Sequence, residues 1–330
     1  MADMKKPVRV AIIGAGVTGI TCAVLLQDSG LQVTVFEKSR GIGGRLATRR
    51  AGEGLSFDHG APCFTVHSRA FRAFLKEKSP EGILPWVPAS SAPGHKTSQW
   101  VVSKPGMNGF LKHAATGLDV RLGCEVVSIS DHPQGWHVNT GKSAEDEAWD
   151  IVIVTAPAPQ AAKLLSFSTR LRPEFNAIRM APCWALMLAF SSRARTSFDV
   201  VVPDADDLAW IGRNSSKPGR DRTLDTWVAH ASAEWSRAHL ESAPDLVLEL
   251  LKGQVLDEID QSDALTIFAV AHRWRYATTE KALDVPFLSD ETGRAFFAGD
   301  GCLGSGVESA FESGTRLARH ILQQNDNTRV

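Results

Sequence analysis

An α/β fold is predicted, with a parallel-sheet domain at the N-terminus and a second, α+β domain inserted into it. Three observations predict it. VRVAIIGAG is a short apolar run ending in glycine, a helical pattern follows at once, and LQVTVFEK then supplies a second apolar, β-branched run. Two later stretches, 62–100 and 161–287, lose this strand–helix–strand rhythm. WDIVIVTAPAP and RAFFAGD return to it. The expected domains are therefore 1–61, 101–160 and 288–325 for the first and 62–100 with 161–287 for the second. A flexible tail is expected at 326–330.

Taken in order, the apolar positions from Val17 to Ser29 fit a helix that ends at Gly30. GLDVRLGCEVVSISDHPQGWHVNTG reads as antiparallel strands with the turn at DHPQG. WDIVIVTAPAP reads as a buried strand stopped by Pro157 and Pro159. RAFFAGD reads as a short strand, followed by a glycine-rich turn and a helix from about Val307 to Gln323. PASSAPGHKTS reads as a linker. The inserted stretches hold most of the nine tryptophans and the basic loop GRNSSKPGRDR.

Composition narrows the function classes. With 43% hydrophobic and 22% charged residues the chain reads as an ordinary globular protein. A net charge of -1 gives no general attraction to nucleic acid or an anionic membrane, so neither is an expected partner. Five scattered cysteines without CxxC spacing argue against a disulfide framework or zinc site and for a reducing compartment. Lys5, Lys6 and Arg9 before an apolar run imitate a signal peptide, but Gly14, Gly16 and Gly19 interrupt that run. A cytoplasmic protein is expected; the oligomeric state is open.

The pattern Gly14-x-Gly16-x-x-Gly19 sits where a strand turns into a helix. There glycine permits a tight turn, close approach to a pyrophosphate and close helix–strand packing, while the helix N-terminus offers amide donors. Glu37 closes the second strand, where a carboxylate accepts ribose hydroxyls. This is a Rossmann-type dinucleotide site. A second cluster, GIGGR, follows at 41–45 and exceeds what one nucleotide site needs.

That cluster resembles the second phosphate-contacting segment of FAD enzymes related to monoamine oxidase. FDHGAPCF at 57–64 resembles their segment near the flavin ring, and FFAGDGCLGSGVESAFESG their C-terminal segment. The resemblance implies a two-dinucleotide-binding-domain flavoprotein fold, monoamine oxidase/p-hydroxybenzoate hydroxylase-like, with FAD as cofactor. It implies cofactor contacts at Gly14, Ala15, Gly16, Thr18, Gly19, Glu37, Lys38, Gly44, Arg45, Gly60, Ala61, Val127, Thr155, Asp300, Val307 and Glu308. Asp300 would bind the ribityl chain, and the helix starting near Val307 would favour negative charge on reduced flavin. The covalent-attachment motif SGGC is absent although Cys302 lies near, so non-covalent FAD is expected.

KPGMNGF, TAPAPQAAKLL, WIGRNSSKPGRDRTLDTWVAHASAEWS, AHRWRYA and GDGCLGSGVESA look very like bacterial renalases, in order along nearly the whole chain. The resemblance implies an oxidase of misreduced nicotinamide dinucleotides, 1,2- or 1,6-dihydro-NAD(P), with O2 as acceptor and hydrogen peroxide as product. Such a donor needs no nucleophile or metal, only a flat slot that positions it. Arg213, Asn214, Ser215 and Lys217 are suitable phosphate donors, or else a solvated basic loop. Strand alternation puts His272, Trp274 and Tyr276 on one face and Arg273 and Arg275 on the other. The first face suits a nicotinamide wall or core packing, and His230 either a pocket or the core. Renalases usually read GAQYF where GAPCF stands here, so Pro62 removes a backbone donor and Cys63 an aromatic wall from the substrate site. Two rivals stand beside this reading: an FAD-dependent amine oxidase and a non-catalytic flavin-binding redox sensor. With one tyrosine in the chain and a basic loop, a polyphosphate-bearing substrate is better served than a cationic amine.

Overall fold

The computed structural model describes residues 6–52, 54–90, 99–141, 147–204 and 206–327. Lys5, linker residues 91–98 and tail residues 328–330 lie outside them. The chain forms two units: Met1–Gly44, Leu111–Met180 and Thr279–Val330 make the first, Arg45–Phe110 and Ala181–Thr278 the second.

The first unit is built on a six-stranded sheet. Its order in space is Leu288–Ser289, Ala295–Phe297, Ile151–Val154, Arg9–Ile13, Gln32–Glu37 and Asp119–Leu122. All neighbours run parallel except the first two. The predicted βαβ unit is present, with the helix at Val17–Asp28. Val10, Ala11, Ile12, Val152, Ile153 and Val154 are fully buried, as parallel strands covered on both faces require. The predicted hairpin is also present, Ser128–His132 against Gly135–Asn139. Asp119–Leu122 departs from expectation. It pairs parallel with Gln32–Glu37, because a long crossover through the helix Gly109–Ala114 delivers the chain to the sheet edge in the same direction. A four-residue pattern carries no direction of its own.

The second unit holds a five-stranded sheet in the order Val200–Val201, Leu208–Arg213, Asp225–Ala231, Arg179–Phe190 and Thr266–Lys281. The helix Pro244–Glu258 lays Val247, Leu251 and Val255 into a core with Trp184, Leu186 and Trp227. Here the tryptophans find their role. Trp184 and Trp227 are fully buried, and each indole N–H has an acceptor, the His239 carbonyl at 3.0 Å and the Asp225 carboxylate at 3.0 Å.

The unit boundaries differ from those expected. Residues 161–180 belong to the first unit, because Ala161, Leu165, Leu171, Phe175 and Ile178 share a core with Val152, Val154 and Phe297. Residues 279–287 join it too. Residues 45–61 and 101–110 belong to the second, where Phe57 stacks on Phe268 with ring centroids 5.3 Å apart. The final helix runs Val307–Asn327, past the expected end, so Asp326 and Asn327 of the expected tail are helical. Among the described residues no helix is long and apolar enough to cross a membrane.

Candidate functional site

In the first unit, the strand Arg9–Ile13 ends at Gly14, whose φ of 112° only glycine adopts without strain. Its N–H donates to the Phe36 carbonyl at 2.8 Å, which turns the chain sharply into the helix. Gly19 lies against that turn: a Cβ there would stand 2.0 Å from the Gly14 carbonyl oxygen. Thr155 closes the other side, donating from Oγ1 to the carbonyls of Ile13 and Gly14 at 3.1 and 3.0 Å. Gly16, the N-cap, supplies no side-chain acceptor, and a Cβ built on it would meet no atom within 4 Å. The first-turn amides are thereby left for an anion.

The second glycine cluster stands against the first. The Gly43 N–H donates to the Ala15 carbonyl at 3.0 Å, and a Cβ on Gly44 would lie 3.6 Å from the Gly16 Cα. Two stretches of bare backbone thus face one another, which fits a pyrophosphate. The Glu37 carboxylate is buried and accepts the Ala15 N–H and the Ser39 N–H, each at 2.8 Å. Both oxygens are oriented this way, and each keeps a lone pair for a ribose hydroxyl. Lys38 beside it is exposed. Asp300 is buried at the start of a four-residue helix and accepts the Thr279 hydroxyl at 2.8 Å. Val307 and Glu308, partly buried, open the final helix. These residues fit a dinucleotide cofactor such as FAD. The Thr18 hydroxyl donates to the Ala310 carbonyl at 2.9 Å, so its side chain ties two helices together and its backbone N–H, in the first turn, is what it offers a cofactor. Val127 is 55% exposed ahead of the hairpin.

The second unit gathers Arg45, Gly60 and Ala61. A Cβ on Gly60 would stand 1.9 Å from the Arg45 carbonyl oxygen, the Ala61 N–H donates to that oxygen at 2.9 Å, and the Arg45 guanidinium donates to the Ala277 carbonyl at 3.1 Å. Next to them is a cluster of rings. His59 lies 4.8 Å from His272 and 5.0 Å from Trp274, centroid to centroid, and His272 lies 4.7 Å from Trp274. The Trp274 indole donates to the His59 carbonyl at 2.8 Å, and His230 Nε2 is 3.4 Å from the same oxygen. Strand alternation is obeyed. His272 and Trp274 share one face, Tyr276 continues their spacing, and Arg273 and Arg275 both reach Glu241, at 3.2 and 2.6 Å. Burial pushes His59 down to about 4, helped by the charges of His272 and Arg49. It also pushes His230 down to about 4 and lowers His272. The three imidazoles are neutral at pH 7. His59 is the site residue that sequence reasoning missed; its signal was its place in FDHGAPCF. Burial raises the Cys63 thiol to about 12, against the Lys217 charge, so it is no nucleophile at neutral pH.

The basic loop corrects the expectation placed on it. Arg213, Asn214, Ser215 and Lys217 are buried, neither solvated nor offered to phosphate. Lys217 Nζ is 3.1 Å and Arg220 Nη2 2.7 Å from the Asp58 carboxylate. Asn214 donates to the Ser56 carbonyl at 2.9 Å, and Arg213 lies 3.4 Å from Asp225 and 3.6 Å from Asp199. Burial alone would raise the Asp58 carboxyl; Lys217, Arg220 and the Thr48 hydroxyl more than offset it and hold it at about 2. A carboxylate so enclosed demands counter-charges, and the loop supplies them.

Comparison with known proteins gives matches to two family models: NAD(P)-binding Rossmann-like domain over residues 12–77, and Flavin containing amine oxidoreductase over residues 86–322, well over half the chain. An L-amino-acid oxidase of Siganus canaliculatus is 47% identical over 68 residues. A 4,4'-diapophytoene desaturase (4,4'-diaponeurosporene-forming) of Staphylococcus haemolyticus is 38% identical over 68 residues. Each match spans about a fifth of this chain and 13% of the relative's own length. Among solved structures, cyclohexylamine oxidase from Brevibacterium oxydans superposes with a TM-score of 0.76 at 14% identity, covering 97% of this chain and 100% of that one. At that identity the likeness shows the fold alone.

Proposed function

Because the chain belongs to the flavin containing amine oxidoreductase family, we propose that it is a cytoplasmic FAD-dependent oxidase of misreduced dihydronicotinamide dinucleotides. In this reading 1,2-dihydro-NAD(P), and secondarily the 1,6 isomer, is returned to NAD(P)+ with O2 reduced to hydrogen peroxide. Bound FAD would supply the two-electron acceptor. Gly14, Gly16, Gly43 and Gly44 would admit its pyrophosphate, Glu37 would orient a ribose, and Asp300 the ribityl chain. The site would hold it non-covalently, since the Cys302 thiol is buried and raised to about 12.

The observation that carries the substrate reading is the uncharged ring cluster of His59, His272 and Trp274, packed edge to face and tilted, in which His272 and Trp274 are partly exposed over the buried His59. A dihydropyridine ring is flat and uncharged, and an uncharged ring face suits it. It is already a hydride donor, so the residues around it need only hold it and exclude water. Cys63, thiol-protonated and partly buried, would add bulk rather than chemistry.

Anaerobic mixing of the purified yellow protein with 1,2-dihydro-NAD tests this. The expected result is rapid bleaching of the flavin band, then recovery with peroxide release when air is admitted, and heat denaturation that frees all the flavin. Failure to bleach with either isomer overturns the reading. The same neutral face would also admit an uncharged amine, and the family description favours that rival. Bleaching by a panel of primary amines, in place of the dihydronicotinamides, would establish it.

A further inference from the structure

The dinucleotide reading requires a cation for the substrate's phosphates, and the bases that the sequence pointed to are enclosed with Asp58, Asp199 and Asp225. One guanidinium near the ring cluster is differently placed. Arg49 lies on the short strand Thr48–Arg50, directly opposite Phe57 on the strand Ser56–Asp58. Residues opposite one another share a face, and Phe57 and His59 are two apart, so Arg49 is the diagonal neighbour of His59. Diagonal neighbours are roughly 7–8 Å apart at the backbone, within reach of an arginine side chain. That face meets the strand Thr266–Lys281: Phe57 stacks on Phe268, and His59 packs on His272 and Trp274.

Arg49 is exposed, and among the described residues no carboxylate pairs with it. Its charge is felt at both His59 and His272, where it disfavours the protonated imidazole. An exposed arginine beside the partly exposed, uncharged rings of His272 and Trp274 makes a two-part recognition surface: a ring takes a flat heterocycle, and the guanidinium takes an anionic group attached to it. Arginine's planar fork suits a phosphate oxygen pair.

We propose that Arg49 is the specificity-determining residue that binds the pyrophosphate of the nicotinamide dinucleotide. This rests on the dihydronicotinamide reading of the same site. It gives that reading a selectivity: dinucleotides over ribosides, and anionic substrates over amines.

The test is calorimetric titration of the flavin-loaded protein with NAD+, beside the anaerobic bleaching titration with 1,2-dihydro-NAD and with the phosphate-free 1,2-dihydronicotinamide riboside. Arg49→Ala is expected to weaken NAD+ and dihydro-NAD about tenfold, roughly 1.4 kcal/mol. The riboside should be unaffected, Arg49→Lys should recover part of the loss, and flavin content should be unchanged. Arg50→Ala, on the opposite face of the strand, is expected to bind as wild type does. Equal weakening of the riboside, loss of flavin from Arg49→Ala, or undiminished NAD+ binding by it would each overturn the role of Arg49. A wild-type protein that neither binds NAD+ nor bleaches would overturn the underlying function, and Arg49's role with it.

Discussion

At the residue scale, the three histidines are the most exposed to solution conditions. His59 and His230 titrate near 4 in the folded chain against about 6.5 unfolded, so protons favour the unfolded state. Their contribution to stability is complete above about pH 6.5 and is lost as pH falls towards 4. For His59 the loss is up to about 3 kcal/mol; the cluster members interact, so the losses do not add. Melting temperature is expected to be flat from pH 8 to pH 7 and to fall steadily below pH 6. His59→Gln should flatten that decline, because a neutral amide cannot take up the proton. A melting curve independent of pH between 7 and 5 would contradict the buried neutral imidazoles. Site chemistry was legible in the sequence wherever a residue type is forced by the backbone. Gly14 and Gly19 could be named because any side chain there collides with the turn. Lys217 could not be read correctly, because a basic residue in a polar loop looks the same whether it faces solvent or Asp58.

At the element scale, the first helix depends on close approach at both of its sides. Gly19 brings it onto the strand end, and Gly314 of the final helix brings that helix onto it, since a Cβ on Gly314 would lie 2.6 Å from the Thr18 carbonyl oxygen. The Thr18 hydroxyl bond to Ala310 holds the same crossing. Gly314→Ala is expected to cost about 1–3 kcal/mol through overpacking, despite alanine's better helix propensity. Differential scanning calorimetry should show the melting temperature lowered by several degrees; an unchanged or raised value would show that the crossing relaxes freely. The pattern of glycine and apolar residues located both helices to within a few residues. It did not show that the Thr18 hydroxyl bonds the final helix, because a helix and a cofactor both ask for a small polar residue in the same turn.

At the scale of the whole molecule, the second unit is organised around charge as well as around its tryptophan core. Asp58 is bound by Lys217 and Arg220, by the Thr48 hydroxyl at 2.7 Å and by the Met107 N–H at 3.2 Å. In sequence, Thr48 is 10 and Met107 49 residues from Asp58, and Lys217 and Arg220 are 159 and 162 residues away. One carboxylate thus joins distant parts of the unit. Asp58→Ala leaves two buried cations without a partner and is expected to destabilise by about 3–5 kcal/mol. Urea unfolding followed by tryptophan fluorescence should show the midpoint displaced to lower denaturant. Asp58→Ala combined with Lys217→Met should recover part of the loss, since one of the stranded charges is removed. A single variant with the wild-type midpoint would show the ion cluster to be energetically idle.

The sequence by itself determined the parallel-sheet unit, its nucleotide cradle and the alternation of His272, Trp274 and Tyr276 against Arg273 and Arg275. Each of these follows from local rules: glycine where a Cβ has no room, period two along a strand, apolar runs buried on both faces. Only the tertiary structure decided which way Asp119–Leu122 runs, where each unit ends, that the basic loop is turned inward, and that His59 joins His272 and Trp274. Those outcomes depend on partners far away in the chain. Ion pairing and ring packing act on whatever folding brings within a few ångströms, and sequence spacing carries no record of that.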